Sequence, residues 1–582
     1  MTAPQGCFRS VRYWREWQGL AACPQRGYNC GQMRRALLAL AIVAIVYVGL
    51  AFLVLPEASF FSSDEGLKLI QVQNFVRKGW SGFTLDYPGR WLDPDLKYVP
   101  INNPPPLIQR GDIFAVYPVF FPLLATPFFE LLNNAGLYVI PVVSGILTLF
   151  VTYWLARLLR VSSTSSLLIL GLCTPLLFYS LLFWDHTLGT LLATTALLLA
   201  TRSLRHPSRW SLLGGGLVLG LSIWARTELY AMALVLPVAY FLFGGRRTRQ
   251  TILLCLGVVA ALVPLWLFQF ATYGNPIGPH VMHFASLGEE LPVTTNRLAI
   301  LYYTLLEANS NPLLTFLFAM SFVAATILLW SPRLRQNRTL VGIVFGALVL
   351  TSLPNLLQAW SGRPLGGLIA TTPFLVFSLG VRPDRQGGES HRLLLGTCVG
   401  YIALVCLATP VDPGLQWGPR FLLPIFPPAA VLALSSRRAL TQPPTRSSSG
   451  TLLAGCLAAT LGISLLFQAC GIRVMYVVRN RDRQLMESTA NLDSRWIISD
   501  EYGLAQYLAP LFYQKEFFYV RSQEEYQELT ESFIANGIHK YAVVSYPAPQ
   551  RRLVDPAVAP EGYTVRQVGQ QIFEIEQTGS PR

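Results

Sequence analysis

The residues with chemistry to offer sit in short polar breaks between long apolar runs. The first break, Ser63-Asp64-Glu65-Gly66, follows the apolar run from Arg35 to Leu55 and precedes an amphipathic stretch, Leu67 to Phe75. Two carboxylates beside a hydrocarbon layer cost desolvation energy unless water or a task holds them there. The plain reading is a helix start, because acids near a helix N-terminus complement its dipole. That suffices for one acid. For the pair the functional reading is favoured, a carboxylate that takes a proton from a hydroxyl or amine. The second break, Phe183-Trp184-Asp185-His186-Thr187, squeezes an acid and a histidine between two apolar runs. They are either a solvated interfacial turn or part of the cavity that Asp64 faces. The third, Ala225-Arg226-Thr227-Glu228, is either a local ion pair or an arginine placed to hold a phosphate.

Later breaks add His280 and His283, then Glu289 and Glu290. Two histidines without a fixed acid partner are weak ground for a metal. Trp360 and Arg363 share another break, and Trp417-Gly418-Pro419-Arg420 precedes a late apolar run. Tryptophan at an interface is ordinary belt chemistry. Arg420 needs a lipid phosphate or an acid of the cavity as its partner. Together, Asp64, Glu65, Asp185, His186, Arg226, Glu228, His280, Arg363, Trp417 and Arg420 describe an enzyme for an amphipathic substrate. An acid serves as base, arginines stabilise a departing phosphate, and Trp184 and Trp417 stack on a sugar or acceptor.

What must position these residues is a membrane bundle. Of 582 residues, 52% are hydrophobic and only 13% charged, where a soluble chain carries about a quarter charged. Mean hydropathy is +0.42. Hydropathy places about 13 helical spans, starting near residues 36, 136, 164, 187, 210, 227, 251, 313, 339, 364, 392, 421 and 449. With the N-terminus inside, the inside loops hold Arg157 and Arg160; Arg202, Arg205 and Arg209; Arg246, Arg247 and Arg249; Arg333, Arg335 and Arg338; Arg382, Arg385 and Arg392; Arg437, Arg438 and Arg446. Every inside loop is basic, as the positive-inside rule asks. This distribution also accounts for the net charge of +14 without a nucleic-acid partner. All the candidate residues then fall on the outside face, and an odd number of spans leaves the C-terminus there too.

The expected organisation is a basic cytoplasmic tail over 1–35, a transmembrane domain over 36–470 and an extracytoplasmic α/β domain over 471–582. A long first outside loop spans 56–135. Its apolar end, Phe114 to Leu132, is broken by Pro118, Pro122 and Pro127 and reads as re-entrant or interfacial rather than spanning, with an extra helix pair as the alternative. In the last domain, Trp496-Ile497-Ile498, Phe517 to Val520, Tyr541 to Val544 and Gln571 to Ile575 read as strands. Ser522 to Glu525 is a capping box opening a helix that stops at Gly537. The nine cysteines form no metal spacing and no disulfide framework. The first apolar run reads as an uncleaved anchor. No glycine loop for nucleotide phosphates is present. A transporter would carry ionisable groups at mid-membrane, and the apolar runs are nearly free of them.

The layout resembles the membrane-embedded glycosyltransferases of the C-type fold, among them the lipid A aminoarabinose transferase, the protein O-mannosyltransferases and the oligosaccharyltransferase catalytic subunit. The resemblance rests on one span, an outside loop opening with Asp64-Glu65-Gly66, many further spans and an outside terminal domain. Tyr117-Pro118 with Phe121-Pro122, Phe183 to Thr187 and Trp417 to Pro424 resemble segments of uncharacterised bacterial members. It implies a sugar donor on a polyprenyl phosphate, inversion by direct displacement, and Asp64 as base, with Glu65 as the alternative. Asp185 and His186 fall where the family has a second acidic site, and some members hold a divalent metal. No Asp-x-Asp is present there, which leaves a metal open. Arg226 or Arg420 would bind the donor phosphate. The acceptor would be an envelope lipid, glycan or protein, and the place a bacterial inner membrane. The competing classes are a flippase or transporter of lipid-linked sugars or polysaccharide, and a non-catalytic assembly partner.

Overall fold

In the computed structural model, residues 30–283, 293–380, 388–409, 416–441, 448–545, 555 and 560–578 are described. The tail before residue 30, Glu289, Glu290, Arg382, Arg385 and Arg446 lie outside them. Among the described residues, eight helices are long and apolar enough to cross a membrane, so the chain is a polytopic membrane protein. A helix stands at every position where a span is expected, but several are short. The run near 364 splits at Pro373 into Leu368–Thr371 and Leu375–Leu379. The run near 164 stops at Leu172 and resumes after Pro175. The run near 421 opens as the 3₁₀ turn Arg420–Ile425 around Pro424. Proline has no N–H to give the preceding turn, and hydropathy alone does not register that.

The site depends on a few elements. Helix α1 (Cys30–Gly49) and a π turn (Leu50–Val54) lead into the first loop. Helix α2 (Ser63–Arg77) starts within it, followed by α3 (Phe120–Leu132), which packs along α2. Thus Phe120–Leu132 is helical, with Pro127 inside it, and runs through a 3₁₀ turn, Asn133–Tyr138, into α4 (Val139–Leu158). Helix α5 (His186–Arg205) leaves from Asp185, α6 (Arg209–Ala225) returns to Arg226, α7 (Leu229–Phe243) leaves again, and α8 (Thr248–Tyr273) returns toward His280. Arginines therefore gather at the far end, where Arg247 Nη1 donates to the carbonyl of Leu204 (3.2 Å).

Backbone contact locks α6 to α8. A Cβ on Gly216 would lie 2.0 Å from the Leu254 carbonyl oxygen, and one on Gly257 would lie 2.3 Å from that of Leu213. Small residues allow such approach where apolar side chains gain nothing by leaving lipid. The ends carrying Arg226 and His280 are held together as a result.

The last long helix, α9 (Ser448–Ala490), continues well past residue 470, with Arg483 and Glu487 paired one turn apart (2.9 Å). Beyond it stands a five-stranded sheet, β1 (Trp496–Ser499), β2 (Glu516–Tyr519), β3 (Lys540–Val544), β4 (Tyr563–Gly569) and β5 (Ile572–Gln577). Its order is β2-β1-β3-β5-β4, parallel at β1–β2 and β1–β3 and antiparallel thereafter. Helix α10 (Gln523–Ala535) crosses between β2 and β3, its Ser522 Oγ accepting from the Glu525 N–H (3.3 Å). One apolar cluster runs from Leu67, Ile70 and Tyr87 of the first loop to Ile497, Phe517 and Phe518 of the sheet. The terminal domain and the first loop thus share a core.

Candidate functional site

Ser62 is the N-cap of helix α2, whose first turn carries the two acids. Glu65 is fully buried. Its Oε2 accepts from the N–H groups of Phe61 (2.6 Å) and Ser62 (3.3 Å), and its Oε1 accepts from the N–H of Phe183 (2.8 Å). Burial raises its pKa, against the pull of Arg479 and these three donors. Glu65 thereby caps α2 and ties it to the turn holding Asp185.

Asp64 points elsewhere. Tyr117 Oη donates to its Oδ1 (2.6 Å) and Arg420 Nη1 to its Oδ2 (3.1 Å), with the Asp64 side chain 16% exposed. Arg420 lies over the Trp184 ring, 5.2 Å from its centroid, and its Nε has no partner. Asp185 is buried just ahead of α5. Its Oδ1 accepts from Arg226 Nη1 (2.6 Å), and Lys68 Nζ stands 3.8 Å from its Oδ2. Burial works to raise the Asp185 pKa, but Arg226 and Lys68 outweigh it and hold the carboxyl below its ordinary range. Arg226 is shared with a second acid, because its Nε donates to Glu228 Oε1 (2.5 Å). Burial acts against its charge, yet Asp185 and Glu228 leave it more firmly protonated than a free arginine. The acids Asp64, Asp185 and Glu228 meet the cations Lys68, Arg226 and Arg420, so the cluster is close to neutral.

Around these charges stand rings. His186 stacks on Tyr179 (5.2 Å between centroids) and lies 4.9 Å from Trp184. Its Nδ1 is 3.2 Å from Arg226 Nη1, while His186 Nε2 and Trp184 Nε1 have no partner. His280 Nδ1 is hydrogen-bonded to Thr227 Oγ1 (2.7 Å), and its ring lies 5.6 Å from that of Tyr117. Tyr117, Thr227 and His280 line a small cleft of about 20 Å³ together with Phe120 and Phe268.

The structure brings together Asp64, Asp185, His186, Trp184, Arg226, Arg420 and His280. It does not bring Trp417, which is fully buried among helices against Phe178, its indole N–H donating to Gln468 Oε1 (3.3 Å). Arg363 is exposed. Two members of the cluster were not expected. Lys68 is buried with its Nζ 4.3 Å from the Tyr117 ring centroid; its signal is a lone lysine one helical turn after Asp64. Tyr117 belongs to a motif that carried the resemblance but had no role of its own.

A divalent metal would use Asp185, whose oxygens already face Arg226 and Lys68. Among the described residues no three of His, Cys, Asp and Glu converge. The residues present do not fit a metal.

No protein-family model matches the chain, and neither does any curated protein sequence. Among solved structures, ArnT from Cupriavidus metallidurans bound to undecaprenyl phosphate is similar, with a TM-score of 0.48 and 12% identity over 95% of this chain and 100% of that one. The apo oligosaccharyltransferase of Archaeoglobus fulgidus aligns with a TM-score of 0.45 and 13% identity over 87% of this chain and 69% of that one. AglB, the oligosaccharyltransferase from the same organism in complex with an inhibitory peptide and a dolichol-phosphate, gives 0.46 and 11% over 89% and 70%.

Proposed function

We propose that this protein is a membrane glycosyltransferase that moves a sugar from a polyprenyl phosphate to an envelope acceptor, with Asp64 as general base. The observation that supports it most is the contrast within the cluster. Asp64 reaches water and is held by one hydroxyl and one guanidinium, whereas Asp185 is sealed between two cations. A base needs access to the proton it removes.

The reaction reads as a direct displacement. An acceptor O–H or N–H gives its proton to Asp64 while the freed electron pair forms a bond to the anomeric carbon. The bond from that carbon to the phosphate oxygen breaks, and its electron pair leaves with the polyprenyl phosphate, inverting the centre. Arg420 links the two ends of this change. As Asp64 is protonated, its hold on Arg420 weakens, and the guanidinium is free to turn toward the leaving phosphate. The unpartnered Arg420 Nε supports giving the donor phosphate to Arg420 rather than to Arg226, whose Nε and Nη1 already hold Glu228 and Asp185. Trp184 would offer its face to the guanidinium and its N–H to the donor. The whole cluster would lie on the extracytoplasmic side of a bacterial inner membrane.

The test is release of free polyprenyl phosphate by purified protein given a panel of polyprenyl-phosphate sugars and acceptor extract, wild type beside Asp64→Asn. Release by wild type with a loss of about 10³-fold or more in the variant is expected. Equal release by both removes Asp64 from the role of base. Release by neither, with lipid-linked sugar crossing vesicles in a flux assay, replaces the transferase with a transporter.

A further inference from the structure

Three consecutive residues at the start of α2 face three different bodies. Glu65 is bonded to the membrane bundle through the Phe183 N–H (2.8 Å). Asp64 faces the site. Ser63 belongs to the terminal domain, through a short segment, Gly503 to Tyr507, that follows β1.

Gln506 makes that connection. It is fully buried. Its Oε1 accepts from the N–H groups of Asn102 (3.3 Å) and Asn103 (2.9 Å), and its Nε2 donates to the carbonyls of Asn103 (2.6 Å) and Ser63 (3.3 Å). That is the full hydrogen-bonding capacity of an amide, all directed at the backbone of the first loop. Asn103 Nδ2 completes the link by donating to Ser63 Oγ (2.9 Å). The backbone of Gln506 also presses on α2. A Cβ at Gly66 would lie 1.6 Å from the Gln506 carbonyl oxygen, so the glycine after Asp64-Glu65 is there for this approach. Further along the same segment, Tyr513 Oη is hydrogen-bonded to Asn74 Oδ1 (3.2 Å) and Arg77 lies over the Tyr513 ring (4.6 Å). The terminal domain therefore grips α2 at both ends.

From this we infer that the terminal domain serves the reaction as a clamp on the Asp64 turn, with Gln506 as its positioning residue. The inference rests on the transferase reading for its effect on rate. Arg420 is carried by the bundle, whereas Ser63 is tied to the terminal domain. The distance between Asp64 and Arg420 then depends on how the domain sits on the first loop as well as on the Glu65 bond to the bundle. Small displacements matter here, since about 1 Å of misplacement costs on the order of 10²-fold in rate.

The experiment compares full-length wild type, Gln506→Ala and Gly66→Ala with Trp91→Phe. Trp91 joins the first loop to the same domain by donating to Glu516 Oε2 (2.8 Å), away from Asp64. Steady-state kinetics with a polyprenyl-phosphate sugar and hydrogen exchange at the amides of residues 61–67 are read in each. The expected result for Gln506→Ala is a fall in kcat of about 10- to 100-fold with donor KM changed less than about threefold, and faster exchange over 61–67. Gly66→Ala should do the same, and Trp91→Phe should move neither reading. Wild-type kcat in Gln506→Ala, an equal loss in Trp91→Phe, or a donor KM rising in step with the loss of kcat overturns the clamp. If wild type transfers no sugar, the transferase reading fails, and exchange alone decides: faster exchange confined to Gln506→Ala and Gly66→Ala keeps the clamp, and unchanged exchange removes it.

Discussion

Asp64 with Arg420 and Asp185 with Arg226 are the same two residue types, paired at the same end of one bundle. Their surroundings differ in every respect that governs reactivity. Asp185 is buried, takes its arginine at 2.6 Å and has Lys68 as a second cation. Asp64 is partly open, takes its arginine at 3.1 Å and has a tyrosine hydroxyl in place of the second cation. A carboxylate compensated twice has little reason to accept a proton, and a guanidinium shared by two acids is held in place rather than free to turn toward a ligand. A charged pair becomes structure when its hydrogen bonds close on buried partners, and stays reactive when one is left open.

Exchanging each acid for its amide should separate the two pairs most sharply. Asp64→Asn should cost turnover about 10³-fold or more with little change in melting temperature, because an amide oxygen still accepts from Tyr117 or Arg420. Asp185→Asn should do the reverse, leaving Lys68 and Arg226 undercompensated in a buried place at a cost of about 3–5 kcal/mol. Thermal melting in detergent, run beside the turnover assay, reads both. A stable Asp185→Asn protein without activity would erase the distinction and move the base to Asp185.

The arginines give a smaller version of the same contrast. Arg420→Lys keeps the charge but loses the planar fork, so donor turnover should fall roughly 10- to 100-fold, with stability nearly unchanged. Arg226→Lys trades two separate donor nitrogens for one ammonium that must reach Asp185 and Glu228 from a single point, and should lose about 1–3 kcal/mol of stability. If donor KM rises more in Arg226→Lys than in Arg420→Lys, the phosphate belongs to Arg226.

Which acid is which was not legible in the sequence. The breaks that hold Asp64, Asp185, Arg226 and Arg420 stand out because charges are rare in such a chain, and alternating spans put them at one end. Pairing is another matter. Asp64 and Arg420 are 356 positions apart, and nothing local distinguishes an arginine facing Asp64 from one facing Asp185. Trp417 illustrates the limit: beside Arg420 in sequence, it turns inward to Gln468, and a tryptophan near an interface looks the same either way. Lys68 was hidden by its neighbours, because a lysine in an amphipathic helix is ordinarily solvated. Gly66 read as part of a helix start, and its cause, the backbone of Gln506, lies 440 positions further along the chain.

The smallest effect separates the pairs by pH. His280 lies beside the cluster, where burial, with Arg226 adding to it, holds its pKa down to about 3 from an ordinary 6.5. Between those values the unfolded chain binds a proton at this residue that the folded one refuses. Stability therefore rises with pH across that window and falls on acidification, levelling near its lower edge. Asp185 acts in the same direction, but only where a depressed carboxyl is finally protonated, below its ordinary 3.8. The two contributions thus occupy different stretches of the acid limb. His280→Gln can still hydrogen-bond Thr227 but cannot titrate. Its melting temperature should fall less than that of wild type between pH 7 and pH 5, by about 1–3 °C, with the limb below pH 3 unchanged. Parallel curves over the whole range would mean that His280 exchanges protons freely, and that the wall between Tyr117 and Thr227 is wet rather than closed.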